Sequence, residues 1–223
     1  MAKRRISQKE KDRVAEVLSR LDTQYGTEYR CYLDHDNPWQ LLVATILSAQ
    51  CTDARVNIVC RELFSKFPTA ESMAKGDILD IEAIVKPCGL YHMKAASIKE
   101  ASAMLIERYN GVLPSTMDEL LEFPGVGRKI ANLLIGDVFG GDAVVTDTHC
   151  IRICGRLGMY PESLKDPYKV EKILTDIIAP GEGSDFCHRI VWFGRETCIA
   201  RSPRCENCPL ADLCEHNLKK QVH

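Results

Sequence analysis

Four cysteines near the end of the chain restrict its possible folds more than any other feature. They are spaced C-x6-C-x2-C-x5-C and are Cys198, Cys205, Cys208 and Cys214. Such a loop can gather four thiolates around a tetrahedral zinc ion or an iron–sulfur cube. Zinc sites usually have two short C-x2-4-C pairs, whereas this run has one, so the spacing favours the cluster. Pro203 and Pro209 interrupt the run, which argues against four unrelated buried cysteines.

The composition indicates a globular protein with a sizeable core. The chain has 223 residues, of which 45% are hydrophobic, and its formal net charge is −2. No segment approaches the roughly 18–20 apolar residues of a membrane span, and the first residues lack the apolar segment of a secretory signal. We therefore expect a cytosolic protein. Any affinity for a polyanion must come from local patches of charge.

The other seven cysteines form no C-x2-C pair with one another. The total of eleven is odd and no export signal precedes them, so a disulfide framework is not indicated. We interpret these seven as small core residues.

Apolar residues recur at helical spacing along the chain, with capping residues at the expected places. Ser7 and Glu10 form a capping box for a first helix. Asn37 and Pro38 open a second, whose apolar residues cover nearly every face, as in a helix at the centre of a bundle. Further helices are predicted over residues 53–67, 77–85, 91–109, 115–122, 128–139, 148–157, 167–178 and 185–197. Because strand-like segments are few and short, the predicted fold class is all-α.

A turn with two glycines, residues 123–129, joins two of the predicted helices. Gly125 and Gly127 let backbone N–H groups approach a phosphate at the start of the helix that begins near Arg128. Any tight helix–helix turn can use two glycines, but here Arg128 and Lys129 follow directly. We interpret this helix–hairpin–helix, including Val126 between the glycines, as a site for the nucleic-acid backbone.

Lys129 and Asp147 are candidates for catalysis. Lys129 lies in the first turn of its helix, where the helix dipole disfavours an ammonium and so favours a nucleophilic amine. The alternative is an ordinary exposed lysine. Asp147 follows an apolar stretch at the start of the next helix, where the alternative role is an N-cap. The two roles of Asp147 can coexist.

The hairpin, lysine, aspartate and cysteine loop occur in one order that resembles the endonuclease III family of DNA glycosylases, within the helix–hairpin–helix superfamily. The resemblance covers about residues 10–215, through the motifs LSAQCTD (47–53), GLYHMKA (89–95), FPGVGRKIA (123–131), VTDTH (145–149) and the cysteine loop. It implies two helical domains with a DNA-binding cleft between them. One is a six-helix barrel, residues 30–142, with the hairpin at about 115–139. The other, residues 1–29 with 143–223, holds a [4Fe-4S] cluster on the four cysteines of loop 198–214.

The resemblance also assigns the chemistry. Lys129 matches the family's catalytic lysine, which attacks C1′ of the sugar, expels the base and cleaves the strand by β-elimination from a Schiff base. Asp147 matches the catalytic aspartate, which assists deprotonation of the lysine and stabilises charge on the sugar. The implied partner is double-stranded DNA with an oxidised pyrimidine or an abasic site, whose damaged nucleotide is flipped out. We expect a monomer associated with the nucleoid.

Two further positions match residues around the flipped nucleotide, and the role of a third residue, His149, is open. Gln50 matches the residue that fills the gap in the duplex, and Leu90 matches the apolar wedge that opens the base stack. The alternative for Leu90 is core packing. His149 either supports the site or is an ordinary polar residue in the first turn of its helix.

The cysteine loop is interpreted as a structural connection, because its thiolates are all used by the metal. We expect it to hold Arg201 and Arg204 against the DNA backbone. Arg189 and Arg195 precede them, and either a solvated helix face or phosphate contact explains this group of four arginines.

Three residues depart from the family's usual pattern. Phe123 replaces a leucine, Ile130 replaces a threonine, and Cys51 takes a small-residue position. We expect them to affect the choice of damaged base more than the reaction. The adenine glycosylase branch is disfavoured by Lys129 and by the end of the chain soon after Cys214. The remaining alternatives are a glycosylase for a mismatched or other modified base, and an iron–sulfur DNA-binding protein without catalysis.

Overall fold

The computed structural model describes residues 7–26 and 31–221, and these ranges contain helices but no strand. The predicted all-α fold is therefore confirmed. The helices are α1 (Gln8–Tyr25), α2 (Pro38–Leu47), α3 (Asp53–Lys66), α4 (Ala70–Lys75), α5 (Ile78–Val85), α6 (Tyr91–Tyr109), α7 (Met117–Leu120), α8 (Arg128–Phe139), α9 (Thr148–Arg156), α10 (Pro167–Ile177), α11 (Gly183–Glu196) and α12 (Glu215–Gln221). Short 3₁₀ turns occur at Lys86–Cys88 and Cys205–Asn207. Within the described ranges, none of the helices is both long and apolar enough to cross a membrane.

Most helices follow their predicted spans, and α6 and α8 have the predicted ends. The prediction of a helix over residues 115–122 was too long, because Thr116 is the N-cap and accepts the Glu119 N–H, which leaves one helical turn. The helices α4 and α12 were not predicted. Each has only six or seven residues, which is too few to produce a clear apolar stripe.

The chain divides into two compact units. The middle unit is Cys31–Phe139, and the terminal unit combines Met1–Arg30 with Gly140–His223. The predicted boundary between residues 29 and 30 falls outside the described residues. The assignment of these units as a barrel domain and a cluster domain stays a prediction.

The core of the middle unit is built around α2. Every residue of α2 from Trp39 to Leu47 is buried, which confirms the predicted central helix. It packs against α3, α6 and α8. The Trp39 indole N–H donates to the Ser102 hydroxyl of α6 at 2.9 Å, so its polar group is satisfied inside the core.

The core of the terminal unit lies where α1 packs against α10 and α11, and where α9 packs against α11 and α12. The stripe of α1 is buried as its spacing predicts, and it consists of Val14, Val17, Leu18 and Leu21. The predicted capping box of Ser7 and Glu10 is also present. This packing fixes α11 and α12, the two helices between which the cysteine loop lies.

Candidate active site and metal centre

The four predicted metal ligands line one cavity in the terminal unit. Cys198 follows the end of α11, Cys205 and Cys208 lie at the second 3₁₀ turn, and Cys214 precedes α12. The cavity has a volume of about 380 Å³ including its open mouth, and its other walls include residues of α9 and α11. The fold thus brings together four sulfurs that span 17 positions of sequence.

This donor set, four cysteines that line one cavity, fits a metal centre with four sulfur ligands. Burial raises the pKa of Cys208 to about 11 and also raises that of Cys214. These thiols therefore need a bound cation to become thiolates at neutral pH.

Two arginines of α9 bind the backbone of the cysteine loop. Arg156 donates to the carbonyl groups of Ile199 at 3.1 Å and Ala200 at 2.7 Å. It also donates to the sulfur of Cys198 at 3.4 Å. Arg152 donates to the Cys198 carbonyl at 3.0 Å. The loop is therefore held by charged hydrogen bonds as well as by its cysteines.

Two arginines of α1 bind the same region. Arg20 donates to the Pro209 carbonyl at 2.9 Å. Arg13 donates to the carbonyl groups of Leu157 and Leu213. The N-terminal helix thus contacts the cysteine loop directly. None of these four arginines was identified from the sequence.

The hairpin between α7 and α8 depends on Gly125 for packing. This residue has a φ of 80°, and a Cβ at this position would lie 3.0 Å from Ser97 Cβ and 3.1 Å from Ile46 Cγ2. Glycine alone meets both requirements without strain. Gly125 therefore has a structural role in addition to its predicted role in phosphate binding.

Val126 is a core residue of the hairpin. Its side chain is buried and its N–H donates to the Phe123 carbonyl at 3.0 Å. Val126 therefore offers no free N–H to a phosphate, which corrects that part of the prediction.

The open side of the hairpin is at Gly127. This residue is exposed, and no described atom lies within 4 Å of the position that a Cβ would take. Its N–H forms no backbone hydrogen bond in the described part of the chain. Arg128 begins α8 and is half-buried, and Lys129 follows as an exposed residue in the first turn. A phosphate has the space to approach this helix start.

The two hairpin glycines should respond differently to substitution. We expect Gly125→Ala to lower the free energy of unfolding by about 2–4 kcal/mol, because alanine would take a left-handed φ and displace its neighbours. Gly127→Ala should change it by less than about 0.5 kcal/mol but weaken DNA binding, because a methyl group would obstruct the phosphate. Denaturant unfolding and DNA titration measure the two effects. Equal destabilisation by both changes would contradict this distinction.

Asp147 is the N-cap residue of α9 in the terminal unit. Its Oδ1 accepts the Cys150 N–H at 2.7 Å, which confirms the N-cap interpretation. Its Oδ2 forms no hydrogen bond or ion pair within the described residues. Because the cap uses one of two carboxylate oxygens, the other is available to a substrate.

His149 lies in the first turn of α9 and packs against α11. A Cβ added at Gly194 of α11 would collide with its Nδ1. The Arg152 guanidinium lies 3.3 Å from the same atom and also donates to the Cys198 carbonyl. Since arginine can only donate, Nδ1 is the acceptor. His149 is thus connected to the cysteine loop through Arg152, and its supporting role in the site stays a prediction.

Gln50 and Leu90 lie in two exposed loops of the middle unit and share an unusual backbone conformation. Their φ angles are 55° and 50°, and among the described non-glycine residues only Asn110 also has a positive φ. Such a conformation costs about 1–2 kcal/mol for a residue with a Cβ. Leu90 is 51% exposed, so the core-packing alternative is wrong. At two residues that match positions around the flipped nucleotide, such strain motivates a functional hypothesis.

The arginines near the cysteine loop have two different environments. Arg189 is buried and its Nε lies 2.6 Å from the Asp22 carboxylate of α1, so it connects two helices and does not contact phosphate. Arg201 and Arg204 are exposed, and neither side chain forms an ion pair with another described residue. Arg195 is also exposed. The phosphate-binding hypothesis therefore stays open for three of the four.

Comparisons with known proteins match both the part of the chain that contains the hairpin and the cysteine loop. Residues 43–180 match the HhH-GPD superfamily of base excision DNA repair proteins, and residues 198–214 match the iron–sulfur binding domain of endonuclease III. Endonuclease III of Synechocystis is 42% identical over 205 residues, which is 92% of each protein. The chain belongs to the endonuclease III family. Endonuclease III of Bacillus subtilis is likewise 42% identical over 192 residues, which is 85% of this chain and 86% of the relative.

Solved structures of endonuclease III have the same fold as this chain. A non-covalent complex of endonuclease III with DNA has a TM-score of 0.88 at 40% identity, and the match covers 96% of this chain and 99% of the other. A trapped covalent intermediate of endonuclease III with DNA has a TM-score of 0.87 at 40% identity, with coverage of 95% and 98%.

Membership of the endonuclease III family settles the class of protein and its cofactor. The protein is a base excision DNA repair enzyme, and the predicted DNA glycosylase and AP lyase activity is the activity of this family. The cysteine loop binds a [4Fe-4S] cluster. The zinc site and the binding protein without catalysis were therefore the wrong alternatives.

Proposed function

We propose that this protein removes oxidised pyrimidines from duplex DNA and cleaves the strand at the resulting abasic site, with Lys129 as the nucleophile. The observation that carries the proposal is the exposed Lys129 amine beside the open side of the hairpin at Gly127. The solved structure of a trapped covalent intermediate of endonuclease III with DNA is 40% identical to this chain, and it supports covalent chemistry for the present protein. Lysine is a suitable residue for a covalent intermediate with a sugar carbon.

The reaction begins when the neutral amine of Lys129 attacks C1′ of the damaged nucleotide. The bond from C1′ to the base breaks, and the base leaves with the electron pair and takes up a proton. Opening of the sugar ring gives a Schiff base between Lys129 and C1′. Loss of a C2′ proton then expels the 3′ phosphate and cleaves the strand, and water releases the lysine.

Asp147 assists the first step in this proposal. A carboxylate can take the proton that Lys129 must lose, and it stabilises the positive charge that develops on the sugar. The unused Oδ2 of Asp147 supports this role, because the N-cap occupies only Oδ1.

Gln50 and Leu90 act on the duplex in this proposal. Leu90 is an exposed apolar side chain on a strained backbone, which suits a wedge between stacked bases. The exposed amide of Gln50 suits the gap beside the base that loses its partner. A damaged base that stacks poorly is easier to extrude, which contributes to selectivity.

The remaining predicted residues either bind the DNA backbone or support other residues of the site in this proposal. The N–H of Gly127, the start of α8 and the cation of Arg128 receive a phosphate. Arg201 and Arg204 contact phosphates from the cysteine loop, and His149 supports Asp147 from the same helix. Gly125 shapes the hairpin.

The four cysteines hold the cluster in this account. When bound, the cluster supplies iron–thiolate bonds that close the loop from Cys198 to Cys214. Arg152 and Arg156 hold the loop carbonyls at the same time. Together they limit the positions that Arg201 and Arg204 can take.

We further propose that the middle unit is the six-helix barrel domain and the terminal unit the cluster domain. We also propose that the protein acts as a monomer on chromosomal DNA in the cytoplasm. The separate core of each unit supports the first assignment.

A panel of duplexes tests the substrate class. The lesions are thymine glycol, uracil, thymine opposite guanine, and adenine opposite 8-oxoguanine, with undamaged DNA as the control. We expect thymine glycol to be processed at least about tenfold faster than the mismatches. Single-turnover strand cleavage measures the rates. Activity confined to the mismatches would show that the substrate is a mismatched base and not an oxidised pyrimidine.

A further inference from the structure

Lys94 is a buried lysine in the first turn of α6 of the middle unit, and the proposed reaction does not use it. Its side chain is 5% exposed. The Nζ atom donates to the Leu47 carbonyl at 2.9 Å and to the Cys88 carbonyl at 2.7 Å. One side chain thus joins two segments that are distant in the sequence.

This placement is unfavourable on local grounds. The first turn of a helix disfavours a cation, and a lysine is rarely buried without a paired charge. Lys94 forms no ion pair with a described residue. The nearby Cys88 supplies no negative charge at neutral pH, because burial and then the neighbouring Cys51 thiol raise its pKa to about 11. A requirement beyond helix stability therefore has to explain this lysine.

Each carbonyl that Lys94 binds belongs to the last residue of a helical segment. Leu47 ends α2, and Cys88 ends the 3₁₀ turn at Lys86–Cys88. Terminal carbonyls of helices lack partners in the helix, and a lysine is a favourable donor to them. Lys94 satisfies one from each segment.

The two segments lead directly into the strained loops. Gln50 lies three residues after Leu47, and Leu90 lies two residues after Cys88. Both have left-handed φ angles. The backbone N–H of Lys94 also donates to the Leu90 carbonyl at 3.0 Å. The Lys94 side chain is therefore bonded to the segments that precede both loops, and its backbone makes the ordinary helical bond to Leu90.

We infer that Lys94 is a positioning residue that holds the Gln50 and Leu90 loops at one fixed separation, so that both side chains enter the duplex together. The inference rests on the proposed roles of Gln50 and Leu90 in opening the base stack. Preorganisation by Lys94 then lowers the cost of extruding a nucleotide from duplex DNA. Single-stranded DNA needs no such opening and gains nothing from it.

The test compares Lys94→Met with the wild type on an abasic site in duplex DNA and in single-stranded DNA. Methionine keeps the length and apolar contacts of the side chain but removes both donors. We expect cleavage of the duplex to fall by about 10- to 100-fold, while cleavage of the single strand stays within about twofold of the wild type. Fluorescence of 2-aminopurine beside the abasic site should show reduced unstacking.

Lys99→Met is the matched control. Lys99 is on the same helix and its Nζ donates to the Gly76 carbonyl, away from both loops. We expect it to leave both rates unchanged. If Lys94→Met does not fold, Lys94→Gln, which keeps one donor, replaces it in the same comparison.

An unchanged ratio of duplex to single-strand cleavage in the folded Lys94 variant would overturn the inference, whether both rates persist or both fall equally. A wild-type protein that cleaves neither substrate would overturn the proposed function instead.

Discussion

Lys129→Gln reduces strand cleavage at a thymine glycol or an abasic site by roughly 10⁴-fold or more, because no other group in the proposed reaction can form the Schiff base. The same change leaves the free energy of unfolding within about 0.5 kcal/mol, since the side chain is exposed. The visible absorption of the cluster is retained, because the cysteines lie in the other unit. Single-turnover cleavage, thermal unfolding and the absorption spectrum measure the three quantities.

The matched control is Lys75→Gln, an exposed lysine of α4 in the same unit. Its removal changes charge equally but should leave cleavage near the wild-type rate. Cleavage by Lys129→Gln at the rate of this control would exclude Lys129 as the nucleophile.

Asp147→Asn reduces the glycosylase rate by roughly 10²- to 10⁴-fold, because an amide cannot take a proton from Lys129 and does not stabilise positive charge on the sugar. Asparagine is an N-cap residue of similar quality to aspartate, so the stability of α9 is preserved. The variant therefore separates the catalytic role of Asp147 from its capping role. Base release from thymine-glycol DNA measures the rate, and denaturant unfolding of the same preparation measures the stability.

Asp166→Asn is the matched control, because Asp166 caps α10 with the same bonding pattern and accepts the N–H of the residue three positions later, Lys169, at 3.0 Å. It should change neither the rate nor the stability. A similar loss of rate in both variants would assign the effect to helix capping and remove Asp147 from the reaction.

The long helices were predictable from the sequence because local signals agree there. Capping residues and apolar spacing together specify α1 and α2, and apolar spacing indicates α6 and α8. The short helix α4 was missed because it has only six residues. Its capping box of Thr69 and Ser72 was the available signal. That signal is weak in the sequence, because a capping box usually has Glu or Gln at the position that Ser72 occupies.

The separate elements of the site were predictable, but their supporting contacts were not. The cysteine spacing and the hairpin glycines are local patterns that a sequence shows directly. The contact of Gly125 with Ser97 and Ile46 joins three separate segments, so only the fold reveals it. The conformations of Gln50 and Leu90 likewise depend on packing and not on residue type.

The buried Lys94 and two arginines of α9 left a weak signal in the sequence. Lys94 falls on the same stripe of α6 as the buried Ala101 and Leu105, where a lysine is unexpected. Arg152 and Arg156 stand one turn apart on α9, beside the buried Ile153. A cation on a buried stripe indicates a donor to carbonyl groups when no acidic residue shares that stripe.

The covalent bond between Lys129 and C1′ is the step on which the proposed reaction depends, and borohydride trapping detects it directly. The protein is mixed with duplex DNA that carries an abasic site, reduced with borohydride, and digested to find the peptide joined to DNA. We expect one adduct, on the peptide that contains Lys129, and no adduct with Lys129→Gln. An adduct on a different amine, or trapping that persists in Lys129→Gln, would contradict it.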